Sequence, residues 1–304
     1  MPNKAIKSKN NPHSITRRKF LAASATATTI ATLGFPAIVR GQNLNSKLDI
    51  AIIGAGGRGG SNLNGVKSEN IVALCDVSGT NMDAQSLKYP KARKVQDFRK
   101  LYDHHKEFDA VVISTPDHTH AIAAVAAMQH GLHVYCEKPL AHSIYEVHRM
   151  QQEAKKAGVV TQMGQQGHAM EGSRRAVEVI RSGAIGEVEE LHVWTDRPNG
   201  WWPQGEKRPA GSPAVPKTLD WNLWLGPAPK RPYHPDYVPF KWRGRWDFGT
   251  GPIGDMAVHN LDTAFWALEL GLPESAHVID AAEATPDCPP LWSVTQLDYP
   301  ARGN

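Results

Sequence analysis

One expected helix carries a row of groups suited to moving protons. Asp255, His259, Asp262 and Trp266 recur at i, i+4, i+7 and i+11, so they share one face of a helix over 255–270. A neutral imidazole is the natural general base near pH 7. Asp255, one turn before His259, can orient that ring and stabilise its charged form. Met256, Leu261, Ala264, Phe265 and Leu268 make the opposite, docking face. The plain alternative is a polar row facing solvent. A second group comes from Glu137-Lys138-Pro139, where an expected strand ends. An ammonium there can bond a substrate oxygen and stabilise a developing alkoxide. Base and ammonium together suit chemistry at a carbon bearing a hydroxyl. Asp-x-x-x-His could also hold a metal, but no third ligand stands near it in the sequence, so no metal is expected.

A third signal binds rather than reacts. An apolar β-branched run over 50–53 breaks at Gly54-Ala55-Gly56-Gly57-Arg58-Gly59, which fits G-x-G-x-x-G. Gly54 permits a tight turn, Gly56 lets backbone approach a pyrophosphate, and Gly59 lets the next helix pack on the strand. Alone, the motif could be a generic glycine turn. Its context argues otherwise. A second apolar run over 71–75 ends at Asp76, 22 residues beyond Gly54, and the dinucleotide fold places its ribose-binding acid about 20 residues on. NAD is expected rather than NADP, because Asp76 repels a 2′-phosphate and Val77-Ser78-Gly79 offers no base to bind one. NADP stays the alternative, because Arg58 can fold over the adenine side.

These groups need a frame. From residue 47 the chain alternates strand and helix patterns, with strands over 94–96, 110–114, 132–136 and 159–163 and helices over 80–87, 121–129 and 144–157. The chemistry-bearing residues His118, His120, Glu137 and Lys138 then stand at carboxyl ends of strands, where parallel sheets bind ligands. A helix over 172–180 and a strand over 186–194 open a second region. Seven of the nine Trp fall within 194–246, among many prolines. Rings that anchor loops are the plain reading there, with one or two Trp lining a sugar-stacking pocket. Strands over 274–282 and 291–297 begin a further sheet just before the chain stops at Asn304.

Hydrophobic content of 41% and charge of 21% describe a globular chain. The net charge of +4 misleads, since residues 1–41 hold seven Lys or Arg and no acid. The remainder carries 27 basic against 30 acidic residues, a net of −3, and gives no reason to expect nucleic acid. Ser14-Ile15-Thr16-Arg17-Arg18-Lys19-Phe20-Leu21 precedes a mild apolar run, the pattern of a twin-arginine signal. Residues 1–41 are therefore expected to direct export by the twin-arginine machinery to the periplasm, or to remain as a membrane anchor. Cys75, Cys136 and Cys288 show no metal spacing and read as inert thiols.

Gly54-x-Gly56-x-x-Gly59, Asp76, Thr115-Pro116-x-x-x-His120 and Glu137-Lys138-Pro139 together resemble the Gfo/Idh/MocA oxidoreductase family. The resemblance runs from about residue 47 to near the end of the chain. It implies an α/β fold with a Rossmann dinucleotide-binding domain over 47–168. An α+β C-terminal domain over 169–304 follows, with a mostly antiparallel sheet, here expected to be truncated. It assigns catalysis to Lys138, Asp255 and His259. It implies a nicotinamide cofactor held by Gly54, Gly56, Arg58, Gly59, Asp76, Thr115 and Pro116. His118, His120, Glu137, Lys138 and Gln166 are expected toward the nicotinamide end. The implied activity is hydride transfer between the cofactor and a sugar, polyol or glycoside. A cofactor-recycling glycoside hydrolase or lyase is the enzymatic alternative, and a catalytically weakened cofactor- or sugar-binding protein the non-enzymatic one. A full-length form is expected to be a homo-oligomer.

Overall fold

The computed structural model describes residues 46–301, so the twin-arginine segment expected over 1–41 lies outside the described residues. Six parallel strands form the first sheet in the order β3-β2-β1-β4-β5-β6. They are β1 (Asp49–Ile53), β2 (Asn70–Cys75), β3 (Arg93–Val95), β4 (Ala110–Ile113), β5 (His133–Glu137) and β6 (Thr161–Gly164). Alternate residues of β1 feed two cores. Ala51 and Ile53 join a large cluster with Val111, Ile113 and Met128, while Ile50 and Ile52 join Leu63, Leu74 and Val112 on the other face. A parallel sheet covered on both faces needs such uninterrupted apolar strands, which is why the runs read as continuous rather than alternating.

Chain order reverses between β1 and β4, which pair side by side. That switch point opens a crevice at the strands' carboxyl ends. Helices α1 (Arg58–Gly65), α2 (Gly79–Ser86), α3 (Phe98–Leu101), α4 (Asp117–Gln129) and α5 (Ile144–Ala157) link the strands. Helix α5 has the clearest local code. Ser143 and Glu146 form a reciprocal capping box, and Gly158 closes the helix with a left-handed φ of 65°. Helix α4 starts four residues earlier than its hydrophobic pattern suggests. Pro116 stands as its extended N-cap residue and Asp117 supplies an acid to the first turn, favourable against the helix dipole. His118 and His120 therefore belong to a helix turn, not to a loop.

The second region begins with α6 (Glu171–Arg181). The strand expected over 186–194 is not formed among the described residues. Residues 186–194 run there as irregular chain. The tryptophan-rich stretch is mostly irregular around α7 (Trp221–Leu225). Trp224, Leu225, Tyr237, Trp242 and Phe248 make a third buried cluster. Trp202 is also buried, whereas Trp194, Trp201 and Trp246 are exposed. The helix expected over 255–270 is broken into a π-turn (Ile253–Ala257), α8 (Val258–Asn260) and α9 (Asp262–Leu268). Strands β7 (Ser275–Ala281) and β8 (Ser293–Asp298) pair antiparallel as a two-stranded sheet. The architecture is α/β, a Rossmann-type sheet followed by a C-terminal region with a small antiparallel sheet.

Candidate active site

The glycine loop is shaped by contacts that exclude side chains. Gly54 has φ of 82°, and a Cβ there would stand 2.8 Å from the Ser114 carbonyl oxygen. A Cβ on Gly59 would collide with the Gly54 carbonyl itself. No side chain caps the N-terminus of α1, which leaves backbone N–H groups aimed at an incoming anion. Asp76 braces the same loop from β2. It accepts from the backbone N–H groups of Ala55 at 2.8 Å, Gly56 at 3.2 Å and Ser78 at 2.8 Å, and from Asn81 Nδ2 at 3.3 Å. Burial raises its pKa against these bonds. Asn81, which covers Gly56, was not marked by any motif.

Arg58 is engaged within the protein. Its Nε donates to Glu137 Oε1 at 3.0 Å, across the crevice, and Asn62 Nδ2 donates to the same oxygen at 2.8 Å. Glu137 is thus held by α1 at the end of β5. Gly164 on β6 leaves room for it, since a Cβ there would come within 2.8 Å of Glu137 Oε1.

Two histidines expected to touch cofactor have their ring nitrogens occupied by protein. His118 Nδ1 lies 3.3 Å from the Phe248 carbonyl oxygen and Nε2 3.1 Å from that of Trp224. Its ring packs between those two aromatic side chains, and burial lowers its pKa to about 4. His118 therefore joins the Rossmann sheet to the tryptophan cluster. His120 Nε2 lies 2.7 Å from the Thr115 carbonyl oxygen and Nδ1 2.8 Å from that of Pro139. Both nitrogens face carbonyl acceptors, which favour the imidazolium, the form with hydrogen on each. Burial opposes that charge, but Cys136 and the two carbonyls raise the pKa to about 9. His120 ties the end of β4 to the Glu137-Lys138-Pro139 turn and offers no free polar atom to a ligand.

Lys138 and Asp255 come together as expected, though Asp255 does not orient His259. Lys138 Nζ donates to Asp255 Oδ1 at 2.8 Å and to the Asp255 carbonyl at 2.7 Å, and both side chains are largely buried. Two guanidiniums approach the same carboxylate less closely: Arg197 Nη1 lies 3.5 Å from Oδ2 and Arg243 Nε 3.4 Å from Oδ1. Asp117, buried at the start of α4, accepts from Thr250 Oγ1 at 3.1 Å. Burial and the charge of Asp255 push the Asp117 pKa up to about 7, while Arg243 and Thr250 hold it down.

His259 is oriented by Gln165. Gln165 Nε2 donates to the Val258 carbonyl, which turns Oε1 toward His259 Nδ1 at 2.6 Å. Nδ1 must therefore carry the hydrogen, and Nε2 holds the lone pair that can accept a proton. Burial first, then the charge of Lys138, lowers the His259 pKa, which favours the neutral, basic ring.

The π-turn lies ahead of His259 and shifts its phase away from that of Asp255. A turn wound more widely than an α-helix shifts the phase of everything after it. Asp262 pairs with His168 Nδ1 at 3.0 Å, and Trp266 stacks on that ring with centroids 4.3 Å apart. Thr250 occupies the space where Gly254 lacks a side chain, so the turn is packed against the residue that bonds Asp117.

Two family descriptions match this chain. One is the NAD-binding Rossmann fold of the Gfo/Idh/MocA oxidoreductases, over residues 48–165. The other is the C-terminal alpha/beta domain of the same family, over residues 178–301. The chain belongs to the Gfo/Idh/MocA oxidoreductase family. It is 30% identical over 154 residues to a 2,7-anhydro-N-acetylneuraminate hydratase of Mediterraneibacter gnavus, a match covering 50% of this chain and 39% of that protein. It is likewise 30% identical over 151 residues to an inositol 2-dehydrogenase of Salmonella typhimurium, covering 48% of this chain and 45% of that protein. The chain thus matches less than half the length of these curated relatives. The fold resembles that of the WlbA dehydrogenase from Bordetella pertussis, solved in complex with NADH and UDP-GlcNAcA. The TM-score is 0.61 and the identity 21%, over 83% of this chain and 68% of that one.

A Gfo/Idh/MocA dinucleotide fits the residues present. The loop at Gly54 and Gly59 has no room for side chains, and the α1 N-terminus is uncapped. Thr115 Oγ1 and Gln166 Oε1 are buried without a hydrogen-bond partner. Both follow carboxyl ends of the parallel strands, Thr115 after β4 and Gln166 after β6. Polar atoms left so are costly unless a ligand completes them. Among the described residues no group of three or more His, Cys, Asp or Glu could hold a metal ion.

Proposed function

We propose that the protein transfers hydride between a sugar, polyol or glycoside and a tightly held nicotinamide cofactor, with NAD preferred to NADP. The observation that carries this reading is His259, fixed by Gln165 in the tautomer that leaves Nε2 basic, in the field of Lys138. In this account Gly54, Gly59 and the N-terminus of α1 hold the pyrophosphate, and Asp76 faces the adenosine ribose. Thr115 Oγ1 and Gln166 Oε1 bond toward the nicotinamide end. The chemistry that a bound nicotinamide supplies is a two-electron acceptor. His259 Nε2 takes the proton of the reacting hydroxyl. Lys138 donates to the oxygen as its charge grows, and Asp255 holds the Lys138 side chain in place. Trp201, exposed beside Arg197, is the ring best placed for the face of a sugar.

Preference for NAD is supported by Asp76 and by Arg58, which is engaged with Glu137 rather than free to meet a 2′-phosphate. Calorimetry is expected to give a dissociation constant for NAD at least about tenfold below that for NADP, since like charges juxtaposed are costly. Tighter binding of NADP contradicts this preference.

The hydratase relative favours a second reading, in which the same oxidation is followed by elimination or hydration and return of the hydride. One experiment tests both. The NAD-loaded protein is mixed with sugars, polyols and glycosides while nicotinamide absorbance and products are followed. Net reduction supports the dehydrogenase. Product without net reduction supports the redox-neutral cycle. If neither occurs with any compound, a cofactor-bound binder replaces both. The Arg17-Arg18 segment supports export through the twin-arginine pathway as part of the proposal.

A further inference from the structure

The charges around Asp255 do not balance. Lys138 takes its best contact, at 2.8 Å. Arg197 and Arg243 stand off at 3.5 and 3.4 Å, beyond the roughly 2.7–2.9 Å of a strong charge-assisted bond. Three cations therefore meet one carboxylate and Asp117, whose carboxyl is only partly ionised near neutrality. Glu137 does not make up the difference, because it is paired with Arg58.

Arg197 is built to receive something else. Its guanidinium carbon lies 3.7 Å from the ring centre of Trp201, a stack that holds the plane still and leaves an edge outward. Among the described residues its side chain makes one polar contact, Nη1 to Asp255 Oδ2. Arg243 is restrained in the same way. Its guanidinium lies against Phe240 at 4.1 Å and Trp242 at 4.3 Å, and Nη1 donates to the Phe240 carbonyl. Both side chains are about one-fifth exposed, with values of 22% and 20%, so the cleft can reach them. Arg197 also contributes to lowering the His259 pKa, which places its charge within the field of the base. A planar, preorganised fork with an unmet positive charge matches a planar monoanion.

We propose that the substrate is a sugar or polyol bearing one carboxylate, which Arg197 receives with Arg243 beside it. This assignment rests on the hydride-transfer reading and names its substrate class. The carboxylate answers the surplus charge and fixes which carbon faces His259. A neutral sugar leaves both guanidiniums sharing the single Asp255 carboxylate with Lys138.

The test uses the NAD-loaded protein and matched pairs: glucuronate with glucose, galacturonate with galactose, and gluconate with sorbitol. A hexose phosphate serves as a separate arm. Binding is read from tryptophan fluorescence, and turnover from nicotinamide absorbance. In at least one pair the acid is expected to bind about tenfold or more tightly than its neutral partner, with an advantage that shrinks as salt rises. Arg197→Gln should erase that advantage and Arg197→Lys should keep part of it, both with unchanged NAD affinity. Neutral partners that bind or react as well as the acids in every pair overturn the proposal, and so does an acid advantage that survives Arg197→Gln. Tighter binding of the hexose phosphate overturns the carboxylate assignment. Reduction by neutral sugars alone leaves the oxidoreductase reading standing while this inference falls. Silence from all pairs removes both.

Discussion

His259→Ala is expected to lower turnover by roughly 10² to 10⁴ while NAD affinity stays within about a factor of two. The ring is held by Gln165, outside the glycine loop, so its loss is expected to remove a base and spare the cofactor cradle. The pH profile of the parent should carry the same signature. Because burial and Lys138 lower the His259 pKa, the ring stays neutral to lower pH than an ordinary histidine. Turnover should therefore fall on acidification only below the usual imidazole range, and that limb should vanish in His259→Ala. Gln165→Leu should retain more activity than His259→Ala, because the base survives with its tautomer no longer fixed. Steady-state kinetics across pH checks all three statements. An unchanged acid limb in His259→Ala means that another group is the base.

Asp255→Asn is expected to unfold the protein more readily, by an amount on the order of 3–5 kcal/mol, the usual cost of leaving buried charge unanswered. The reason is geometric. Asp255 is 3% exposed and faces Lys138, Arg197 and Arg243 together. An amide leaves three cations repelling one another beside Asp117. Lys138→Met should cost less stability, since the carboxylate keeps both arginines, yet it should still lower turnover by about 10² or more by removing the group that meets the oxygen. Adding Lys138→Met to Asp255→Asn should recover part of the lost stability. Denaturant unfolding of the four proteins checks this cycle. A loss under about 1 kcal/mol for Asp255→Asn would mean that solvent screens the arginines.

Much of this arrangement was legible before any coordinates. The β1 strand, the Gly54 turn and Asp76 obey local rules, since a buried parallel strand and a turn with positive φ restrict which residues can follow. The helix over 144–157 could likewise be read directly. Only the family resemblance puts Lys138 and Asp255 in one site, since 117 residues separate them. Other features were out of reach for reasons that can be stated. Gln165 and Gln166 are adjacent and chemically alike. Which of them meets His259 depends on how the chain turns after β6, and sequence periodicity does not encode that. The wide turn over Ile253–Ala257 leaves the apolar pattern intact while shifting His259 out of phase with Asp255. His118 and His120 look like ligands from their place near a strand end. Only tertiary packing shows that carbonyls from elsewhere occupy their nitrogens. Arg197 and Arg243 lie in an irregular stretch with no repeat, so nothing but the fold could bring them to Asp255.

The central claim is hydride transfer, and isotope placement tests it most directly. NAD-loaded protein is incubated with a responsive sugar or polyol carrying deuterium at the carbon of the reacting hydroxyl, and the cofactor is recovered during turnover. The account predicts deuterium on the nicotinamide ring in the parent protein, and its near absence in His259→Ala over the same interval. Products formed by the parent from that labelled compound with no deuterium ever reaching the nicotinamide would contradict it.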